Sequence, residues 1–128
     1  MKTLIFTGDA QMYTGLRDAI VSDRKNGGKI ALVRHAANYD TLCRMMSAGG
    51  WDLIFVAEAG ARGMEVCIGV RKMLPKVPLV WFSDDPLFAA QSYRLNCTYF
   101  APLPATGQQI AKAMDRVLEQ NPGCYAWG

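Results

Sequence analysis

Few side chains in this chain could do chemistry, and none of them falls into a working pair. His35 is the single histidine, and no nucleophile stands with it in a triad-like arrangement. The four cysteines, Cys43, Cys67, Cys97 and Cys124, are far apart and form no CxxC pair. With one histidine available they cannot assemble a zinc set at the usual spacing; three of them fall in or beside apolar segments, and they read as reduced thiols. Gly8-Asp9-Ala10 follows the first apolar run without a GxGxxG pattern, which makes a poor phosphate cradle. Asp9 is better placed to cap a helix than to hold a metal. Trp51, Trp81 and Trp127 form no recognisable ligand cage. No metal site, no cofactor and no catalytic activity are expected from these residues.

The elements that would position them are legible from periodicity. Short apolar runs alternate with amphipathic ones along the whole chain. Thr3 to Phe6 reads as a buried strand, and Asp9 caps a helix with Met12, Leu16, Ala19 and Ile20 on one face. Asn26-Gly27-Gly28 stops that helix. Lys29 to Val33 is expected as the second strand, with His35 just past it, and a helix runs from about Asn38 to Met46. Asp52 to Val56 is an unbroken apolar strand suited to burial on both faces. A helix follows from about Gly63 to Leu74, a strand from Val77 to Phe82, and a helix from Pro86 to Arg94. Thr98 to Ala101 is the fifth strand, and Thr106 opens a last helix that runs to Glu119. Strict βα alternation predicts a doubly wound, five-stranded parallel sheet with right-handed crossovers. Ligands of such sheets gather at the carboxyl ends of the strands, at Thr7, Gly8 and Asp9, Ala57 and Glu58, Ser83 and Asp84, and Leu103.

Composition sets the outer bounds. The 128 residues suffice for one domain with its own core, and the net charge of +3 is spread over scattered Lys and Arg. That scatter gives no footprint for direct nucleic-acid binding. The first apolar run is too short for a signal peptide and no later run approaches a membrane span, so a cytoplasmic protein is expected.

From Asp52 to Leu118 the chain resembles the receiver domain of bacterial response regulators, in particular the sort that precedes a LytTR-type DNA-binding domain. Asp52-Leu53-Ile54-Phe55-Val56 is similar to the strand that leads into the phosphorylatable aspartate of that family. Pro78-Leu79-Val80-Trp81-Phe82-Ser83 is similar to the strand that ends in its switch hydroxyl, and Leu103-Pro104 falls where it has Lys-Pro. Residues 2–9 match more loosely. The resemblance implies a flavodoxin-like receiver fold with strand order 2-1-3-4-5. It also implies that Ala57 stands in place of the phosphate acceptor, Leu103 in place of the lysine, and Thr7 and Gly8 in place of an acidic pair.

A phosphoryl-accepting site needs a carboxylate nucleophile, hard oxygen ligands for Mg²⁺, a hydroxyl and a cation. Of these only Ser83 survives. Asp9 and Glu58 are the acidic residues left nearby. Side-chain alternation after Ala57 turns Glu58 away from the pocket if the strand continues, whereas the short loop to Gly63 would re-aim it. Phe100 falls at the family's mobile switch aromatic. The resemblance therefore points to a degenerate receiver over residues 1–121, with 122–128 a tail or the start of a linker. It would act through protein partners in a transcription regulator, as a homodimer on the face of the fourth helix, fifth strand and fifth helix. Phe88, Tyr93, Arg94 and Arg116 are the candidates there. A flavodoxin-like small-molecule or nucleotide-binding domain using the same strand ends is the alternative, and an unorthodox enzyme is the weakest reading.

Overall fold

The computed structural model describes residues 1–23, 25–30 and 32–120. Five apolar segments form strands, β1 (Lys2–Phe6), β2 (Leu32–Ala36), β3 (Leu53–Ala57), β4 (Leu79–Ser83) and β5 (Tyr99–Pro102). The helices between and after them are α1 (Ala10–Ser22), α2 (Tyr39–Ala48), α3 (Gly60–Met73), α4 (Ala89–Arg94) and α5 (Gly107–Gln120). The strands pair in the order β2-β1-β3-β4-β5, all parallel, as the alternation requires.

Side-chain alternation divides the core between the two faces of the sheet. On one face Ile5, Phe55, Ala57, Val80, Phe82 and Ala101 pack against Leu16 and Ile20 of α1 and Ile110, Met114 and Val117 of α5. On the other, Leu4, Phe6, Ile54, Val56, Leu79 and Trp81 meet Leu42 and Met46 of α2 and Val66, Cys67 and Val70 of α3. Cys43, Cys67 and Cys97 are free thiols. Burial pushes the Cys67 thiol up, and it pushes Cys97 up to about 12 against the opposing pull of Arg71, which keeps both protonated near neutrality. Cys124 and Trp127 lie outside the described residues, as does the expected tail. Among the described residues no helix is long and apolar enough to cross a membrane.

Three elements depart from the sequence expectation, two through a contact between distant residues and one through a local cap. The second strand is Leu32–Ala36 rather than Lys29 to Val33, so His35 lies inside it. The buried Asn26 donates its side-chain N–H to Asp115 of α5 at 2.8 Å, and Gly27–Lys29 close a 3-10 turn on it. That turn takes up the residues expected to begin the strand. The third helix starts at Gly60 rather than Gly63, because a carboxylate from the β4–α4 loop, Asp84, accepts the Gly60 N–H at 2.8 Å. The expected helix from Pro86 to Arg94 is a 3-10 turn, Pro86–Phe88, followed by the six residues of α4. Asp85 caps the turn by accepting from Leu87 N at 2.9 Å. β1 begins one residue earlier than expected and ends at Phe6 as expected, while β3, β4 and β5 begin and end one or two residues later.

At the amino edge of the sheet, Arg71 ties α3 to its surroundings through main-chain carbonyls alone. Its guanidinium donates to the carbonyls of Leu74, Val77, Leu95 and Asn96, which joins the end of α3, the approach to β4 and the α4–β5 loop. The planar fork suits this divergent set in a way a lysine ammonium cannot. Desolvation lowers its pKa, though it remains charged. Arg71→Ala is expected to cost about 2–4 kcal/mol in urea unfolding, with Arg71→Lys recovering only part, because four carbonyls lose their donor. An unchanged denaturation midpoint for Arg71→Ala would contradict this role.

Candidate functional site

β1, β3, β4 and β5 deliver their last residues to one edge, where Thr7, Gly8 and Asp9, Ala57 and Glu58, Ser83 and Asp84, and Leu103 lie together. Ala57 ends β3 with 1% of its surface exposed, in the apolar cluster shared with Phe82 and Ala101. Leu103 is half buried and packs against that same cluster, held by its N–H to the Ser83 carbonyl at 2.8 Å. A methyl group and an isobutyl group therefore share one apolar cluster at this edge.

The polar groups around them are engaged with one another. Thr7 is buried, accepts the Asp9 N–H at 3.3 Å and places its hydroxyl 3.5 Å from the Met12 sulfur. Its carbonyl accepts from His35 Nε2 at 2.9 Å, which fixes the hydrogen on that nitrogen, and the His35 ring stacks on Tyr13 at 4.3 Å. Asp9 caps α1 by accepting from Gln11 N and Met12 N at 2.9 and 3.3 Å. Ser83 is fully buried, accepts the Asp85 N–H at 3.3 Å and lies 3.4 Å from the Asp84 carboxylate.

Glu58 is re-aimed by the short loop. β3 ends at Ala57, and the Glu58 side chain reaches the β1–α1 loop to accept the Gly8 N–H at 3.1 Å. A Cβ at Gly8 would stand 3.4 Å from the carboxylate, an ordinary van der Waals contact, so the hydrogen bond to the amide and not a missing side chain holds Glu58 here. Asp84 holds the far side of the same loop through Gly60. Two carboxylates thus tie the β3–α3 loop to its neighbours on both sides by binding backbone amides, the strong form of such a bond. Sequence reading placed Asp84 at the strand ends but missed its hold on Gly60. The two residues are 24 positions apart, and no local pattern announces the pairing. Among the described residues no group of three or more His, Cys, Asp or Glu side chains is placed to hold a metal ion.

The remaining candidates lie toward the β5 side. Phe100 is half buried, its ring edge-on to Trp81 at 5.1 Å, and Phe88 stacks on the same indole at 5.5 Å. Phe88 is therefore a half-buried core contact, whereas Tyr93, Arg94 and Arg116 are exposed. Leu87 and Tyr93 stand out with 82% and 85% of their surface exposed.

No protein-family model matches the chain, and no curated protein matches it. Solved structures do. A response regulator receiver domain from Clostridium thermocellum superposes with a TM-score of 0.76 at 13% identity, over 94% of this chain and 96% of that one. The receiver domain of NtrX from Brucella abortus gives 0.73 at 16% identity, over 92% and 98%. The Vibrio cholerae chemotaxis protein CheY4 gives 0.73 at 15%, over 91% and 98%. At these identities the likeness establishes architecture, and this chain has the receiver fold of two-component response regulators.

The contact between the Ala57 and Leu103 environments is open to a double-mutant cycle. Ala57→Asp is expected to destabilise the domain by about 2–4 kcal/mol and Leu103→Lys by about 1–3, with the double variant better than their sum by at least about 1 kcal/mol. Burial raises the pKa of the introduced carboxyl above its unfolded value. The ionisation part of the Ala57→Asp penalty should therefore vanish below about pH 4 and grow as the pH rises, on top of a pH-independent cost of packing the larger, polar side chain. Strict additivity in urea melts would place the two residues in separate environments.

Proposed function

We propose that this domain is a non-catalytic receiver-type module that works by protein–protein interaction, without phosphorylation, as the regulatory part of a cytoplasmic transcription regulator of the LytTR type. The observation that carries the reading is the apolar cluster joining Ala57 and Leu103 at the strand ends. A phosphoryl group there would have no acceptor atom on Ala57 and no cation from Leu103 to offset its charge. The hydroxyl of Ser83 has neighbours of its own in Asp84 and Asp85.

With no covalent switch, such a domain reports through a fixed surface, its concentration or a ligand. The face of α4, β5 and α5 is the proposed contact, as a homodimer, and it makes no direct contact with nucleic acid. Leu87 and Tyr93 supply exposed apolar area there, and Arg94 and Arg116 flank it. A second reading, a small-molecule domain, draws on a groove of about 530 Å³ between α1 and the start of α5, lined by Asp9, Met12, Gly15, Ala19, Ala105 and Ile110. Native mass spectrometry of the purified protein separates the two, since a retained small molecule would favour the second.

Acetyl phosphate with Mg²⁺ is expected to leave the intact mass unchanged. A single phosphoryl adduct labile to hydroxylamine would overturn the proposal. Sedimentation velocity over a wide concentration range should detect a weak dimer that Arg94→Glu or Arg116→Glu loosens, mainly through association rate. A strict monomer at every concentration would remove the homodimer from the reading.

A further inference from the structure

Arg71 is a cation without an anion. Its side chain is partly buried, and its N–H groups all go to main-chain carbonyls. Among the described residues no carboxylate pairs with it. A charge withdrawn from water is ordinarily matched by an opposite one, and carbonyl dipoles meet that need only in part. The titratable groups that act on this guanidinium are the thiols of Cys67 and Cys97.

The fold brings those two thiols together from distant parts of the sequence. Cys67 precedes Arg71 by four residues on α3, which puts both on one face of the helix. The Arg71 bonds to the Leu95 and Asn96 carbonyls draw the α4–β5 loop, and with it Cys97, against that face. The Cys97 N–H is held in turn by the Ser92 carbonyl at 2.9 Å. Cys67 is fully buried in the apolar cluster beneath α3, and Cys97 packs against the same cluster with part of its surface still open. Asn96 and Thr98, on either side of Cys97, line with Arg71 a groove of about 280 Å³ that gives solvent a way in. Cys43 also touches this cluster, but its thiol is engaged with the Tyr39 hydroxyl. Among the described residues no third His, Cys, Asp or Glu completes a larger ligand set.

We propose that Cys67 and Cys97 form a two-thiolate site for a soft monovalent metal ion, Cu(I), with Arg71 as the counter-charge. Two sulfurs cannot make a closed zinc site, which takes four ligands. Thiolate sulfur selects soft ions, and Cu(I) is satisfied by a linear pair of such donors. As each metal–sulfur bond forms, its thiol gives up a proton. One Cu(I) and two thiols thus yield a bis-thiolate carrying one negative charge, with both protons released to solvent and the copper still Cu(I). Beside Arg71 that unit is neutral overall, and the guanidinium gains the anion it lacks. The site is separate from the strand ends at Ala57 and Leu103, and it does not depend on the function proposed for them.

Anaerobic titration of the reduced protein with Cu(I), in competition with a coloured Cu(I) chelator, tests the site. One equivalent is expected to bind, and native mass spectrometry should show one copper gained and two protons lost. The bound ion should also raise the melting temperature, because only the folded chain brings the two sulfurs together. Cys67→Ala or Cys97→Ala should weaken binding by about a hundredfold or more, since either loss removes chelation by the second sulfur. Cys97→Ala, at the less buried position, serves if Cys67→Ala folds poorly. The double variant Cys43→Ser/Cys124→Ser should bind as the unmodified chain does, and Zn(II) at equal concentration should not displace the copper. The proposal is overturned if Cys97→Ala holds Cu(I) as tightly as the unmodified protein, if the Cys43→Ser/Cys124→Ser variant loses it, or if the melting temperature does not move at saturation.

Discussion

A strand covered on both faces makes polar side chains costly, and every residue of β3 and β4 is in that position, with the Trp81 indole N–H left unpaired there. Of those residues only Ser83 has a polar side chain other than the Trp81 indole, and Ser83 sits at the last position, where neighbouring loops can bond it. Charged side chains stand only outside these two strands. The two apolar clusters, the helix placement and the composition of the strand ends all result from that restriction.

At the carboxyl edge the consequence is chemical. Backbone amides leaving a parallel sheet must find acceptors, and in many α/β sites a bound anion or its protein ligands provide them. In this domain the acceptors come from the chain itself. Glu58 takes the Gly8 amide, Asp84 takes the Gly60 amide and Asp9 takes the first amides of α1. Ala57 and Leu103 close the floor beneath them with hydrocarbon. The loops leaving the strands at this edge are thus held together by acceptors of the chain itself.

The strand and helix succession was legible because it depends on local periodicity, from the apolar run of Leu53 to Val56 to the face of Ile110, Met114 and Val117. So was the gathering of Thr7, Gly8, Ala57, Ser83 and Leu103, which topology alone brings to one edge. What could not be read depends on partners distant in sequence. The start of α3 depends on Asp84, and the shifted β2 on Asn26 reaching Asp115. Alternation left the direction of Glu58 open, and the short loop with the Gly8 amide opposite decides it. Phe88 is another such case, since nothing local distinguishes an exposed aromatic on α4 from one resting on Trp81.

The proposed function holds that this strand edge takes up no external phosphoryl group or metal. The most direct test is an ¹⁵N amide titration of the protein with Mg²⁺ followed by beryllofluoride, a phosphoryl mimic. The amides of Gly8, Glu58, Gly60 and Ser83 are predicted to keep their chemical shifts throughout. Saturable shifts at those amides, spreading to α4 when beryllofluoride is added, would show a working phosphate pocket and contradict a self-satisfied edge.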